Sequence, residues 1–324
     1  MPQPSVYYAC GRVGVLGASA LHTAQLERLM AAHTYEEASR TLSDVGFVTG
    51  EVADFQAAAD AHVKKACLLL ESVTPQPELT GCFQLRYDIH NLKVLLKSRF
   101  LAQKSQFLSQ CGTFRVELLR HAVTEHRYGQ LPEALQRTLN DLEKELARRF
   151  EPMLIDAELD QAMYRLILER LEKATDAGKA KKYFTAKVDM QNYIMLLRAK
   201  AMGKDAAFFA KLFLPCGSIS LAGFQRYFDD PERLPKLLTR YGQKVSKAAA
   251  VCATDSAKLP LMEKTADDFL YGIFSGGTGQ SVNTLIGYLL RVQREATDVR
   301  LIMAAKLNGF SRADLEERVR ELHG

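Results

Sequence analysis

Apolar residues along this chain recur at intervals of three and four. Between positions 135 and 146 the leucines fall at i, i+4, i+7 and i+11 (Leu135, Leu139, Leu142, Leu146), with charged and polar residues between them. At about 100° per residue these positions form one stripe on a helix whose other faces are hydrophilic. Segments 159–173 and 285–307 follow the same rule, and sustained period-two alternation of β-branched residues is hard to find. The pattern predicts an all-α protein. Breaks are expected around Pro75 and Pro77, Leu131-Pro132, Glu151-Pro152, Leu214-Pro215-Cys216-Gly217 and Ser275-Gly276-Gly277.

The periodicity itself repeats on a longer scale. Tyr87-Asp88-Ile89-His90-Asn91-Leu92 opens a segment that ends in Arg99. Val188-Asp189-Met190-Gln191-Asn192-Tyr193 opens another, ending in Lys200, and Arg294-Glu295-Ala296-Thr297-Asp298-Val299 opens a third, ending in Lys306. The spacings are 101 residues (88 to 189) and 106 residues (189 to 295). Each copy reads acid, two residues, Asn or Asp, a large apolar residue, then an apolar run closed by a base. Helical geometry puts Asp88, Asn91, Leu92, Leu95 and Arg99 on one face, and likewise their counterparts. The acid and base suit the two ends of a helix dipole.

Cys111-Gly112-Thr113, Cys216-Gly217-Ser218 and Asn308-Gly309-Phe310-Ser311 follow the three copies. Each reads as a glycine C-cap with a hydroxyl N-cap for the next helix. Looser matches link 26–30, 117–120 and 224–227. Three helical units are expected, 1–110, 111–215 and 216–324, and a repeat this long present three times suggests a pseudo-threefold body.

Composition narrows the function. The 324 residues carry 43 Lys+Arg against 38 Asp+Glu, a net charge of +5, with both signs interspersed, which argues against a nucleic-acid binder. The six cysteines form no C-x-x-C pair and read as buried free thiols in a reducing compartment. No signal peptide is indicated, and no apolar run approaches the roughly 18 residues of a membrane span.

Motifs with possible chemistry are weak. Gly11-Arg12-Val13-Gly14-Val15-Leu16-Gly17 lacks the G-x-G-x-x-G spacing and a preceding strand, and reads as a helix whose small residues permit close packing. Gly276-Gly277-Thr278-Gly279-Gln280-Ser281 lacks the lysine of a phosphate loop and reads as a surface loop before a helix. His121 and His126 stand five apart, so their rings diverge by about 140° and do not share a metal. Three equivalent carboxylates (Asp88, Asp189, Glu295) fit a repeated structural contact better than a single catalytic pair. No catalytic residue, metal ligand or cofactor is expected.

The opening Tyr7-Tyr8-Ala9-Cys10-Gly11-Arg12-Val13, then Tyr35-Glu36-Glu37-Ala38 and Leu42-Ser43-Asp44-Val45-Gly46-Phe47, resembles the N-terminal region of the C-type subunits of V-type ATPases and ATP synthases, the family related to the eukaryotic d-type subunit. Leu285-Ile286-Gly287-Tyr288 and Glu295-Ala296-Thr297-Asp298-Val299-Arg300 resemble that family's C-terminal motif. Departures are Gly11 for the usual Ala and Asp298-Val299 for Asn-Leu. The resemblance implies a funnel of three helical units around a pseudo-threefold axis. It implies a non-catalytic, nucleotide-free rotor subunit on the cytoplasmic face of the proteolipid ring, receiving the central stalk subunits (D and F type) and transmitting torque for proton or sodium transport. On that reading Asp88, Asn91, Asp189, Asn192, Asp298 and Arg300 help line the socket or hold its walls. A helical-repeat adaptor unrelated to ATPases is the alternative, with a helical enzyme behind it.

Overall fold

A computed structural model of the chain describes residues 4–17, 21–48, 54–103, 107–149, 151–275, 279–316 and 318–320. The described residues hold helices and connecting turns and no strand, so the all-α expectation holds. In chain order the α-helices are α1 (Val6–Gly17), α2 (Thr23–Ala31), α3 (Tyr35–Asp44), α4 (Phe55–Val73), α5 (Pro77–Gly81), α6 (Leu85–Phe100), α7 (Val116–Thr124), α8 (Glu133–Arg148) and α9 (Pro152–Lys173). They continue with α10 (Gly178–Ala201), α11 (Ala206–Leu212), α12 (Leu221–Arg226), α13 (Gln243–Thr254), α14 (Leu259–Gly272), α15 (Val282–Leu307) and α16 (Arg312–Glu316).

The breaks fall where proline demands them. Pro77 and Pro152 open α5 and α9, a position where the missing N–H costs nothing, and Pro132 precedes α8. Side-chain caps supply other starts: Asp54 accepts from the N–H groups of Gln56 and Ala57, Asp205 from Phe208 and Ser220 from Gly223. The leucine stripe of α8 (Leu135, Leu139, Leu142, Leu146) is buried along its length.

Two compact units emerge. The first joins both ends of the chain, Met1–Pro75 with Ala257–Gly324; the second is Gln76–Ser256. In the first unit α4 packs along α15, and Leu26, Leu29, Leu42 and Phe55 share one core with Val299, Ile302 and Met303. In the second, Phe209, Phe213 and Phe224 meet edge-on with ring centroids 5.8–6.2 Å apart, and Tyr193 is buried with its hydroxyl donating to the Ala249 carbonyl.

Several motif readings are settled here. The 11–17 segment is helical, but a Cβ on Gly11, Gly14 or Gly17 would meet nothing within 4 Å among the described residues, which show no close packing at these glycines. Residues 276–278 of the glycine-rich segment lie outside the described residues, and α15 begins just after Ser281. Five cysteines are buried free thiols; Cys216 is partly exposed. Among the described residues no helix is long and apolar enough to cross a membrane.

Candidate functional site: polar latches on three long helices

The three repeated segments lie on α6, α10 and α15. The helices end alike. Ala102, Gly203 and Gly309, spaced by the same 101 and 106 residues, have φ of 51°, 66° and 70°. The next residue's N–H reaches back to the helix: Gln103 to Ser98 O at 2.8 Å, Lys204 to Ala199 O at 2.9 Å and Phe310 to Ala305 O at 3.0 Å. This is the left-handed helix stop that glycine favours; alanine holds it in the first copy against a steric penalty.

The C-cap reading of Gly112 and Gly217 is therefore corrected. α6 ends at Phe100 and α10 at Ala201, well before these glycines. Their role is tertiary. A Cβ on Gly112 would lie 2.0 Å from Asp88 Oδ1, and one on Gly217 2.3 Å from Asp189 Oδ1. Glycine is needed because a carboxylate from the repeat helix lies against the loop backbone. Asp88 accepts from the Thr113 N–H (2.8 Å), the Thr113 hydroxyl (2.9 Å) and the Phe114 N–H (3.0 Å). Asp189 accepts from the hydroxyls of Ser218 and Tyr241 and from the Ile219 N–H at 3.1 Å. Thr113 and Ser218 thus serve the carboxylates and do not cap the next helix. Burial pushes the Asp88 carboxyl up to about 6, against the pull of the Thr113 and Phe114 donors. The third copy differs. Glu295 is held by the Arg291 guanidinium (3.1 Å) and the His62 imidazole (3.1 Å).

The helix-dipole reading also needs correction. Asp88 is in the first turn of α6, but Asp189 is midway along the 24-residue α10 and Glu295 midway along the 26-residue α15. What fixes these acids is their local donors, since the dipole acts only within a terminal turn.

One turn on, Asn91 accepts from the Ser109 N–H at 2.8 Å and donates to the Ser109 carbonyl at 2.7 Å. Asn192 does the same with Leu214, at 2.8 and 2.9 Å. A primary amide carries a donor and an acceptor side by side and so satisfies both backbone groups of a single residue. Asp298 accepts from the Arg320 N–H at 3.1 Å. All five of these repeat side chains among the expected site residues (Asp88, Asn91, Asp189, Asn192 and Asp298) have 0% exposure and are bonded to their own chain. Arg300 stands apart. It is partly exposed on α15 and pairs with the exposed Asp60 of α4 at 2.5 Å, a surface pair of about 0–1 kcal/mol.

The closing bases complete the pattern. Arg99 donates to the Val123 carbonyl (2.6 Å), Lys200 to that of Phe228 (2.6 Å) and Lys306 to that of Met30 (2.7 Å). Val123 and Met30 lie in the last turns of α7 and α2, and Phe228 lies just past α12, so each base caps carbonyls at a helix C-terminus. α2 thus stands to α15 as α7 stands to α6 and α12 to α10. The segments matched in the sequence at 26–30, 117–120 and 224–227 belong to these three helices.

The arrangement fastens long helices to the loops beside them. Among the described residues no group of three or more His, Cys, Asp or Glu could hold a metal ion.

Buried polar latches thus fix the repeat helices of an all-helical protein. The family model for the ATP synthase (C/AC39) subunit matches residues 9–318, and the chain belongs to that family, the C-type subunits of V/A-type ATPases. It is similar to the C-type subunit of the V-type sodium ATPase of Enterococcus hirae, 25% identical over 83% of this chain and 83% of that protein. It is also similar to the C-type subunit of the A-type ATP synthase of Thermococcus gammatolerans, 21% identical over 98% of this chain and 89% of that protein.

Proposed function

We propose that this chain couples the rotating central stalk to the membrane proteolipid ring of a rotary ATPase or ATP synthase, carrying torque for proton or sodium transport. It would sit at the cytoplasmic face, with stalk subunits of the D and F type on one side and the ring on the other. Family membership supports the complex. The recurrence of buried polar contacts at matching positions of α6, α10 and α15 supports the mechanical role, because a torque-bearing wall must not let its helices slide. Buried hydrogen-bonded polar groups resist such sliding better than apolar contacts alone. We propose further that the chain is built as three related units around a funnel (1–110, 111–215 and 216–324), with α2 completing the third. Asp88, Asn91, Asp189, Asn192 and Asp298 then hold the walls, and Arg300, with its partial exposure, is the one of the six available to a partner.

Affinity purification of the tagged chain from solubilised native membranes, with mass spectrometry of what co-purifies, tests the partners. Stalk and proteolipid subunits in stable stoichiometry are expected. Soluble partners alone, with ATPase intact in the same membranes, would establish the adaptor alternative. For the residue, Arg300→Glu should leave folding and assembly unchanged and lower ion transport per ATP hydrolysed by a factor of about two or more. Unchanged coupling in an assembled complex removes Arg300 from the interface.

A further inference from the structure

Asp298 occupies the place that Asn91 and Asn192 hold in the other two copies, and the substitution leaves a visible gap in the bonding. Each asparagine bonds both the N–H and the carbonyl of one residue, Ser109 or Leu214. Leu214 and Arg320 lie the same 22 residues beyond Asn192 and Asp298. Among the described residues Asp298 takes only the Arg320 N–H, through Oδ1, while its buried Oδ2 has no hydrogen-bond partner. A carboxylate with 0% exposure and a single N–H donor is a poor place for a charge. Asp88 and Asp189, equally buried, each have three donors.

The charged neighbours do not repair this. On α15, Arg294 gives its guanidinium to Asp268 and to the Asp267 carbonyl, and Glu295 is taken by Arg291 and His62. In segment 318–320 the Arg320 guanidinium is bonded to the Asp267 carboxylate. From α14 come Asp267 and Asp268, both engaged with these arginines, and Tyr271, under the Arg294 guanidinium.

We propose that Asp298 works as a neutral acid in an asparagine's position, its Oδ2–H donating to the Arg320 carbonyl, so that segment 318–320 is latched to α15 while the acid keeps its proton and is loosened when the proton leaves. A protonated carboxyl has one donor and one acceptor side by side, the same pair that a primary amide offers. Burial pushes the Asp298 carboxyl up to about 7; the Arg320 N–H, Arg294 and Arg320 pull it down and Asp268 pushes it further up. Because the folded value lies above the ordinary 3.8, the latch's contribution is complete below about pH 4 and is lost as pH rises through about 7. The end of the described chain is thereby sensitive to pH in the range a cell actually spans. The device concerns a residue given a wall-holding part above, but its test reads the latch itself and does not require the coupling role; only this copy of the repeat has an acid in the asparagine's position.

Hydrogen exchange of the full-length protein, followed by mass spectrometry on a peptide covering 311–320 and corrected for intrinsic exchange, tests it. Between about pH 6 and pH 8 exchange of that peptide should rise about tenfold in the wild type, one unit above the midpoint leaving about a tenth of the acid protonated. In Asp298→Asn it should stay slow at both values. Melting should agree: near pH 8 the Asn variant should melt several degrees above wild type, and near pH 6 the two should be within about a degree. Flat wild-type exchange across this range overturns the proposal. So does an Asn variant that is less stable than wild type at both values or fails to fold, since the amide should fit a site shaped for it.

Discussion

Gly112→Ala is expected to destabilise the second unit by about 3 kcal/mol or more. The new Cβ would lie 2.0 Å from Asp88 Oδ1 and 2.7 Å from its Cγ. Those atoms are not the free end of a flexible side chain. Three donors from Thr113 and Phe114 hold the carboxylate, and the Asp88 backbone N is itself 3.3 Å from the same point. Relief therefore requires the loop to lift off α6, which breaks the bonds that placed it there. Urea melts of Gly112→Ala beside Gly129→Ala isolate the effect, because a Cβ on Gly129 meets nothing within 4 Å. A double-mutant cycle then assigns it. Asp88→Ala alone should cost about 2–4 kcal/mol by stranding the Thr113 and Phe114 donors. In that background Gly112→Ala should add less than about 1 kcal/mol, since the obstacle is gone. Full additivity would mean that the glycine serves some other purpose.

The latch system shows what a single sequence carries and what it hides. The 101- and 106-residue repeats are visible because acid, amide and base recur on one helix face, and Asp88, Asn91, Asp189 and Asn192 are buried and bonded within their own chain. The glycines misled. A Cys-Gly-Thr or Cys-Gly-Ser after a helical stretch looks like a helix stop, and the real stop in the first copy is Ala102, which no propensity rule would place at φ 51°. What Gly112 avoids is a carboxylate 24 residues earlier, and local pattern carries no trace of such a contact. The reach of Lys306 to Met30, across 276 residues, is invisible for the same reason. The first unit gathers the two ends of the chain through long-range packing of the same kind, Leu26, Leu29 and Leu42 against Val299, Ile302 and Met303. Asp298 stood out as a departure from the family's Asn, but its consequence depended on Arg320, whose pairing only the folded backbone reveals.

Asn192→Leu should be the second most damaging of these changes, at about 2–5 kcal/mol. Leucine matches asparagine in shape closely enough to avoid a large cavity, so the cost comes from the bonds. Leu214 would keep its N–H and carbonyl in a site with 5% exposure and find no replacement for either; each stranded group costs about 1–3 kcal/mol. Asn91→Leu removes the same pair of bonds, but Ser109 is partly exposed and water can take them over, so about 1–2 kcal/mol is expected there. Denaturant midpoints of the two variants measure the difference; equal costs would show that burial of the loop residue does not set the loss. Asn192→Asp then imposes on α10 the bonding that α15 has by nature. It keeps the acceptor for the Leu214 N–H and loses the donor for its carbonyl unless it takes up a proton. Its cost relative to wild type should therefore grow as pH rises and shrink as pH falls, whereas the cost of Asn192→Leu should be the same at every pH. A pH-independent Asn192→Asp would mean that the donor half of the asparagine pair contributes nothing to holding the loop, and that the two-way bond is not what fixes these helices.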